Sequence, residues 1–106
     1  MIAFCIDASL DSGFGHFKRC LSIANLYLKN DKKCSFIILN KKDSLKLPKI
    51  KNCKFSYLKS IKNKDKIKEI KFILKKQKIS QIVFDSYQFK KETVSKFKNF
   101  LTVHFN

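Results

Sequence analysis

Ile2-Ala3-Phe4-Cys5-Ile6, closed by Asp7 and followed shortly by Gly13-Phe14-Gly15-His16-Phe17-Lys18-Arg19, is the stretch that decides the fold. Five apolar residues in a row have the length of a strand covered on both faces. Residues 16–29 then carry Phe17, Cys20, Leu21, Ile23, Ala24, Tyr27 and Leu28 on the i, i+3, i+4, i+7 stripe of an amphipathic helix, which Asn30-Asp31 ends. The order is strand, glycine loop, helix, with His16 at the helix start. Such a junction offers backbone N–H groups and the positive end of the helix macrodipole, which suits anions and polar reacting groups. Histidine is the side chain best able to move a proton near neutral pH, and a helix N-terminus favours its neutral, basic form. The junction is not a dinucleotide fingerprint, because Lys18 stands where G-x-G-x-x-G needs its last glycine. It also lacks the G-x-x-x-x-G-K-[ST] of a P-loop.

Working outward, Cys34–Leu39 is a second continuous apolar strand, and the lysine-rich residues 40–52, with the only proline at Pro48, form a loop. Cys53–Leu58 alternates apolar and polar residues as a more exposed strand does. Residues 63–78 place Ile67, Ile70, Ile73 and Leu74 at helical spacing among lysines, which gives a helix with a solvated outer face. Gln81–Phe84 is a strand leading into Asp85-Ser86-Tyr87; a helix over 90–99 presents Val94 and Phe97; Leu101–Phe105 is a last strand, in which His104 reads as structural. The sequence β-α-β-β-α-β-α-β predicts an α/β, Rossmann-like domain with a mostly parallel sheet and helices on both faces. Ligands of such sheets bind beyond the carboxyl ends of the strands. Two polar clusters fall at that edge: Asp7 to His16, and Asp85-Ser86-Tyr87.

A chain of 106 residues that is 44 % hydrophobic, with eleven Phe and no Trp, suits one globular domain. It contains no apolar run near the roughly 20 residues that span a bilayer. Asp7 interrupts the N-terminal apolar stretch, which has no basic residues before it, so a cytoplasmic location and no membrane partner are expected. The net charge of +16 admits a basic nucleic-acid-binding module as an alternative. Against nucleic acid, Arg19 is the one arginine among 24 basic residues, and the lysines accompany abundant Ile, Asn and Phe, the mark of an AT-rich coding bias. Readers of nucleic acid rely on arginine forks and stacked aromatics. Cys5, Cys20, Cys34 and Cys53 form no C-x-x-C pair and have no His at zinc-finger spacing, so free thiols, no metal and no cofactor are expected.

Asp7-Ala8-Ser9, Gly13-Phe14-Gly15-His16-x-x-Arg19 and Asp85-Ser86-Tyr87 together resemble the N-terminal part of the nucleotide-sugar hydrolases of pseudaminic acid biosynthesis. That family removes UDP from a UDP-linked diacetamido-trideoxy-altrose sugar. The resemblance implies half of a two-domain glycosyltransferase-B type fold and a UDP-sugar substrate. It implies His16 as the general base that activates water, with Asp7, Gly13, Gly15, Arg19 and Tyr87 around the substrate. Cys5 stands where the family commonly has arginine. The family's second domain carries most of the UDP site. Residues 1–106 are therefore expected to be a truncated N-terminal Rossmann-like domain, its C-terminal nucleotide-binding domain absent, inactive until a separately encoded C-terminal half is supplied. A glycosyltransferase-like domain acting on another nucleotide sugar would carry the same loop.

Overall fold

The strand that opens the sequence, β1 (Ile2–Ile6), is the middle of a five-stranded sheet in the order β3-β2-β1-β4-β5. The computed structural model describes residues 1–6, 13–39, 49–60, 62–85, 89–97 and 100–105. Along the chain β1 is followed by α1 (Gly13–Leu28), β2 (Cys34–Ile38), β3 (Cys53–Tyr57), α2 (Asn63–Lys76), β4 (Gln81–Asp85), α3 (Lys91–Val94) and β5 (Leu101–Phe105). Every strand pair is parallel. The element order agrees with the sequence pattern. The helix expected over 90–99 is instead a short α3 that tightens into a 3-10 turn at Ser95–Phe97.

Right-handed crossovers fix which face each helix covers. From β1 to β2 to β3 the chain steps in one direction, so α1 lies on one face. Ile50, between β2 and β3, packs against the same cluster as α1. From β3 the chain crosses back over to β4 and then moves outward to β5, so α2 and α3 fall on the other face. Strand alternation follows suit. Ile2, Phe4, Ile6, Cys34, Phe36, Ile38 and Val83 meet Phe17, Cys20 and Ala24 of α1. Ala3, Cys5, Ile37, Ile82 and Phe84 meet Ile67, Ile70 and Leu74 of α2, together with Phe89 and Phe97.

The phenylalanine excess has a structural use. Phe4, Phe36 and Phe55 share one register row across β1, β2 and β3. Their rings stack at 5.1 and 5.3 Å, and Phe17 of α1 tilts onto Phe36 at 5.4 Å. Each such pair adds about 0.5–1.5 kcal/mol beyond the area it buries.

Both long helices end in the same way. After α1, Lys32 N–H reaches Tyr27 C=O at 3.1 Å and Asp31 N–H reaches Leu28 C=O at 3.2 Å, with Asp31 at φ 58°. After α2, Ile79 N–H reaches Leu74 C=O at 2.9 Å and Lys78 N–H reaches Lys75 C=O at 3.3 Å, with Lys78 at φ 55°. These are Schellman caps with a non-glycine residue in the left-handed position, and the buried Ile79–Leu74 pair closes the second one.

Candidate functional site

β1 and β4 are neighbours, and the helices that come after them, α1 and α3, pack on opposite faces, so the carboxyl ends of these two strands mark the topological switch point of the sheet. α1 leads away from that edge. Its first turn contains Gly13, Phe14, Gly15 and His16, so the glycines belong to the helix rather than to a loop before it. Glycine in a helix costs roughly 0.5–1 kcal/mol relative to alanine. Nothing in the described chain demands that cost at Gly15, which is exposed and whose added Cβ would meet no atom within 4 Å. The exposed backbone at Gly15 admits a ligand or a second protein surface.

Asp85, the last residue of β4, pairs with Ile6 in register and faces α1. Its side chain is fully buried. A buried carboxylate must be paired, and Arg19, seventh in α1, supplies the partner. Arg19 Nε donates to Asp85 Oδ2 at 2.8 Å and Nη2 donates to Oδ1, a two-point fork. Cys20 Sγ adds a third donor to Oδ2 at 3.6 Å. While one edge of the guanidinium is clamped, the Arg19 side chain is 51 % exposed. A fixed, half-exposed cation at the switch point, one helical turn beyond His16, is suited to an anionic ligand.

Burial, then the charge of Asp85 and the hydrogen bond to it, pushes the Cys20 thiol far above its ordinary range. Cys5 is raised by burial and then by Cys20. Burial followed by the neighbouring Cys53 pushes Cys34 up to about 11, and burial raises Cys53. All four are free, protonated thiols, and Cys20 serves as a hydrogen-bond donor rather than a nucleophile. Among the described residues no three His, Cys, Asp or Glu side chains gather as metal ligands. Among them, too, no helix is long and apolar enough to cross a membrane.

Further along the same edge, Glu69 of α2 anchors the segment after β3. It accepts Lys59 N–H at 2.9 Å, Ser60 N–H at 3.0 Å and the Ser60 hydroxyl at 2.7 Å. Partial burial raises its carboxyl, but these donors outweigh that and hold it below the usual carboxylate value.

Of the residues singled out from sequence, Gly13, Gly15, His16 and Arg19 come together in the first two turns of α1. Asp7 and Tyr87 lie outside the described residues, as do Ser86 and the side chains of Phe14 and His16. Sequence reading placed Asp85 at the right edge without giving it a role. Its signal was there: Asp85 is the one charged residue of its strand, and Arg19 is the only arginine. Their separation of 66 positions hid the pairing. Glu69 was missed, because nothing local marks a mid-helix glutamate as a loop anchor. No protein family, curated protein or solved structure matches the chain.

Proposed function

We propose that this chain is the N-terminal, base-bearing part of a nucleotide-sugar hydrolase acting on a UDP-linked diacetamido-trideoxy-altrose sugar. The observation that carries the reading is the Arg19–Asp85 fork at the carboxyl edge of a parallel sheet, one turn from His16. It supports the resemblance in Asp7-Ala8-Ser9 and Gly13-Phe14-Gly15-His16-x-x-Arg19, because it fixes a cation one helical turn along α1 from the histidine position.

In this mechanism His16 takes a proton from water, whose oxygen bonds to the anomeric carbon. The bond from that carbon to the UDP oxygen breaks, UDP leaves with its electron pair, and configuration inverts. Arg19, aimed by Asp85, stabilises the negative charge of the departing diphosphate, and the open Gly15 backbone lets the substrate approach. Asp7 and Tyr87 hold sugar hydroxyl or acetamido groups. Remote binding energy organises such a reaction, so the mechanism includes a uridine-binding half of the kind that the resembled family carries in its second domain.

The test is UDP release from that sugar, by this chain alone and mixed with a C-terminal half encoded beside it. Turnover in the mixture that His16→Ala abolishes supports the proposal. No turnover from folded chain in either sample refutes it.

A further inference from the structure

At the opposite, amino edge of the sheet a groove of about 400 Å³ runs between the end of α2 and the segment entering β5. Leu74, Ile79 and Phe100 form its floor, and Lys71, Lys75, Lys78 and Lys96 its rim. The rim is drawn from two separate parts of the fold, since Lys96 sits in the 3-10 turn and the other three belong to α2 or its cap. Lys71 is held in place, its Nζ 5.6 Å from the centre of the buried Phe97 ring, which itself packs on Phe100 at 6.5 Å. Among the described residues no carboxylate lines the groove.

Four ammonium groups around one opening give it a positive rim that an anion complements. A phosphate monoester, close to doubly charged at neutral pH, complements it better than a single carboxylate does. The floor asks for more than phosphate, because Leu74, Ile79 and Phe100 offer apolar contact and no hydrogen bonds. The volume lies in the range of about 300–1,000 Å³ that small-molecule sites occupy. We propose that this groove binds a phosphate ester carried on an apolar body, such as an aryl or short alkyl phosphate, independently of the site at the carboxyl edge.

Naphthyl phosphate is the probe, titrated into the full chain at low salt while backbone amide NMR shifts are followed. Saturable shifts at Leu74, Lys75, Ile79 and Phe100, with Gly15 and Arg19 unmoved, are expected, and this arm needs no variant. Lys71→Glu with Lys96→Glu should weaken binding at least about tenfold, and Lys29→Glu with Lys54→Glu, an equal charge change on exposed sites away from the groove, less than about twofold. Inorganic phosphate and naphthol should each bind at least about tenfold more weakly than the ester. Equal weakening by both charge reversals, shifts spread across the lysine surface, phosphate alone binding as tightly, or no saturable shift would each overturn the proposal. Vesicles of phosphatidylglycerol that sediment the chain, less well after Lys71→Glu with Lys96→Glu than after Lys29→Glu with Lys54→Glu, where naphthyl phosphate moves no amide, would assign the groove to a lipid surface and overturn it as a soluble-ligand site.

Discussion

Removing either member of the Arg19–Asp85 pair should have unequal consequences, because Asp85 is fully buried and the Arg19 side chain is 51 % exposed. Arg19→Met leaves a carboxylate in the interior without its fork. Such losses cost about 3–5 kcal/mol, and the solvent already reaching Arg19 places this one near 3 kcal/mol. Unfolding entropy for 106 residues is about 0.2 kcal/mol/K, so Tm should fall by roughly 14 °C. Asp85→Asn keeps the shape, and the arginine can turn toward water, so its cost should be about 1–2 kcal/mol. The decisive comparison is the double variant. Neutralising Asp85 when Arg19 is already methionine removes the charge that has lost its guanidinium, so the double variant should be more stable than Arg19→Met by about 1–2 kcal/mol. Thermal and urea unfolding of the four proteins closes the cycle. A double variant less stable than Arg19→Met would refute the view that a buried carboxylate deprived of its guanidinium sets the cost.

Gly15→Ala should raise stability by about 0.5–1 kcal/mol, roughly 2–5 °C in Tm, since the new Cβ meets nothing; a lowered Tm would show that the first turn of α1 is not helical there. The Glu69 carboxyl, lowered on balance by its four hydrogen bonds, binds its proton less readily folded than unfolded. Its contribution is therefore complete above about pH 4.5 and is lost as pH falls through the lowered value, so the stability gap between the native protein and Glu69→Gln should close on acidification; a gap constant with pH would count against the anchor. Ellman's reagent near pH 8 should label the folded chain slowly, half-buried Cys53 first, and all four thiols promptly once unfolded; fast labelling of Cys20 in the folded state would contradict its role as a donor to Asp85.

What the sequence disclosed and what it withheld follow from the range of the forces involved. Ile2–Ile6 and Cys34–Ile38 were legible because strands covered on both faces must be continuously apolar. The stripe from Phe17 to Leu28 was legible because a helix on one face must repeat every three to four residues. The start of α1 was misplaced because glycine reads as a loop by propensity, whereas Gly13 and Gly15 are carried into the helix by the packing of Phe17, Cys20 and Ala24 behind them. The last helix was overestimated because Val94 and Phe97 fit a helical stripe equally well in a 3-10 turn. At the candidate site, the residue types were readable but the partnership of Arg19 with Asp85 was not, since it is made by strand order and not by spacing.

The placement of β1 between β2 and β4 also has a consequence in time. Ile2 pairs with Cys34 on one side but with Gln81, 79 residues further on, on the other. At synthesis rates of about 5–20 residues per second, the nascent chain waits roughly 4–16 s between exporting β1 and exporting the strand that covers its second edge. For that interval Phe4 and its neighbours belong to a half-sheet with an open, apolar, unpaired border, the state most vulnerable to capture by another chain. Folding of this domain is therefore paced by the arrival of β4, and mutations that weaken the pairing between β1 and β4 will lower the yield of native protein before they lower the stability of what has folded.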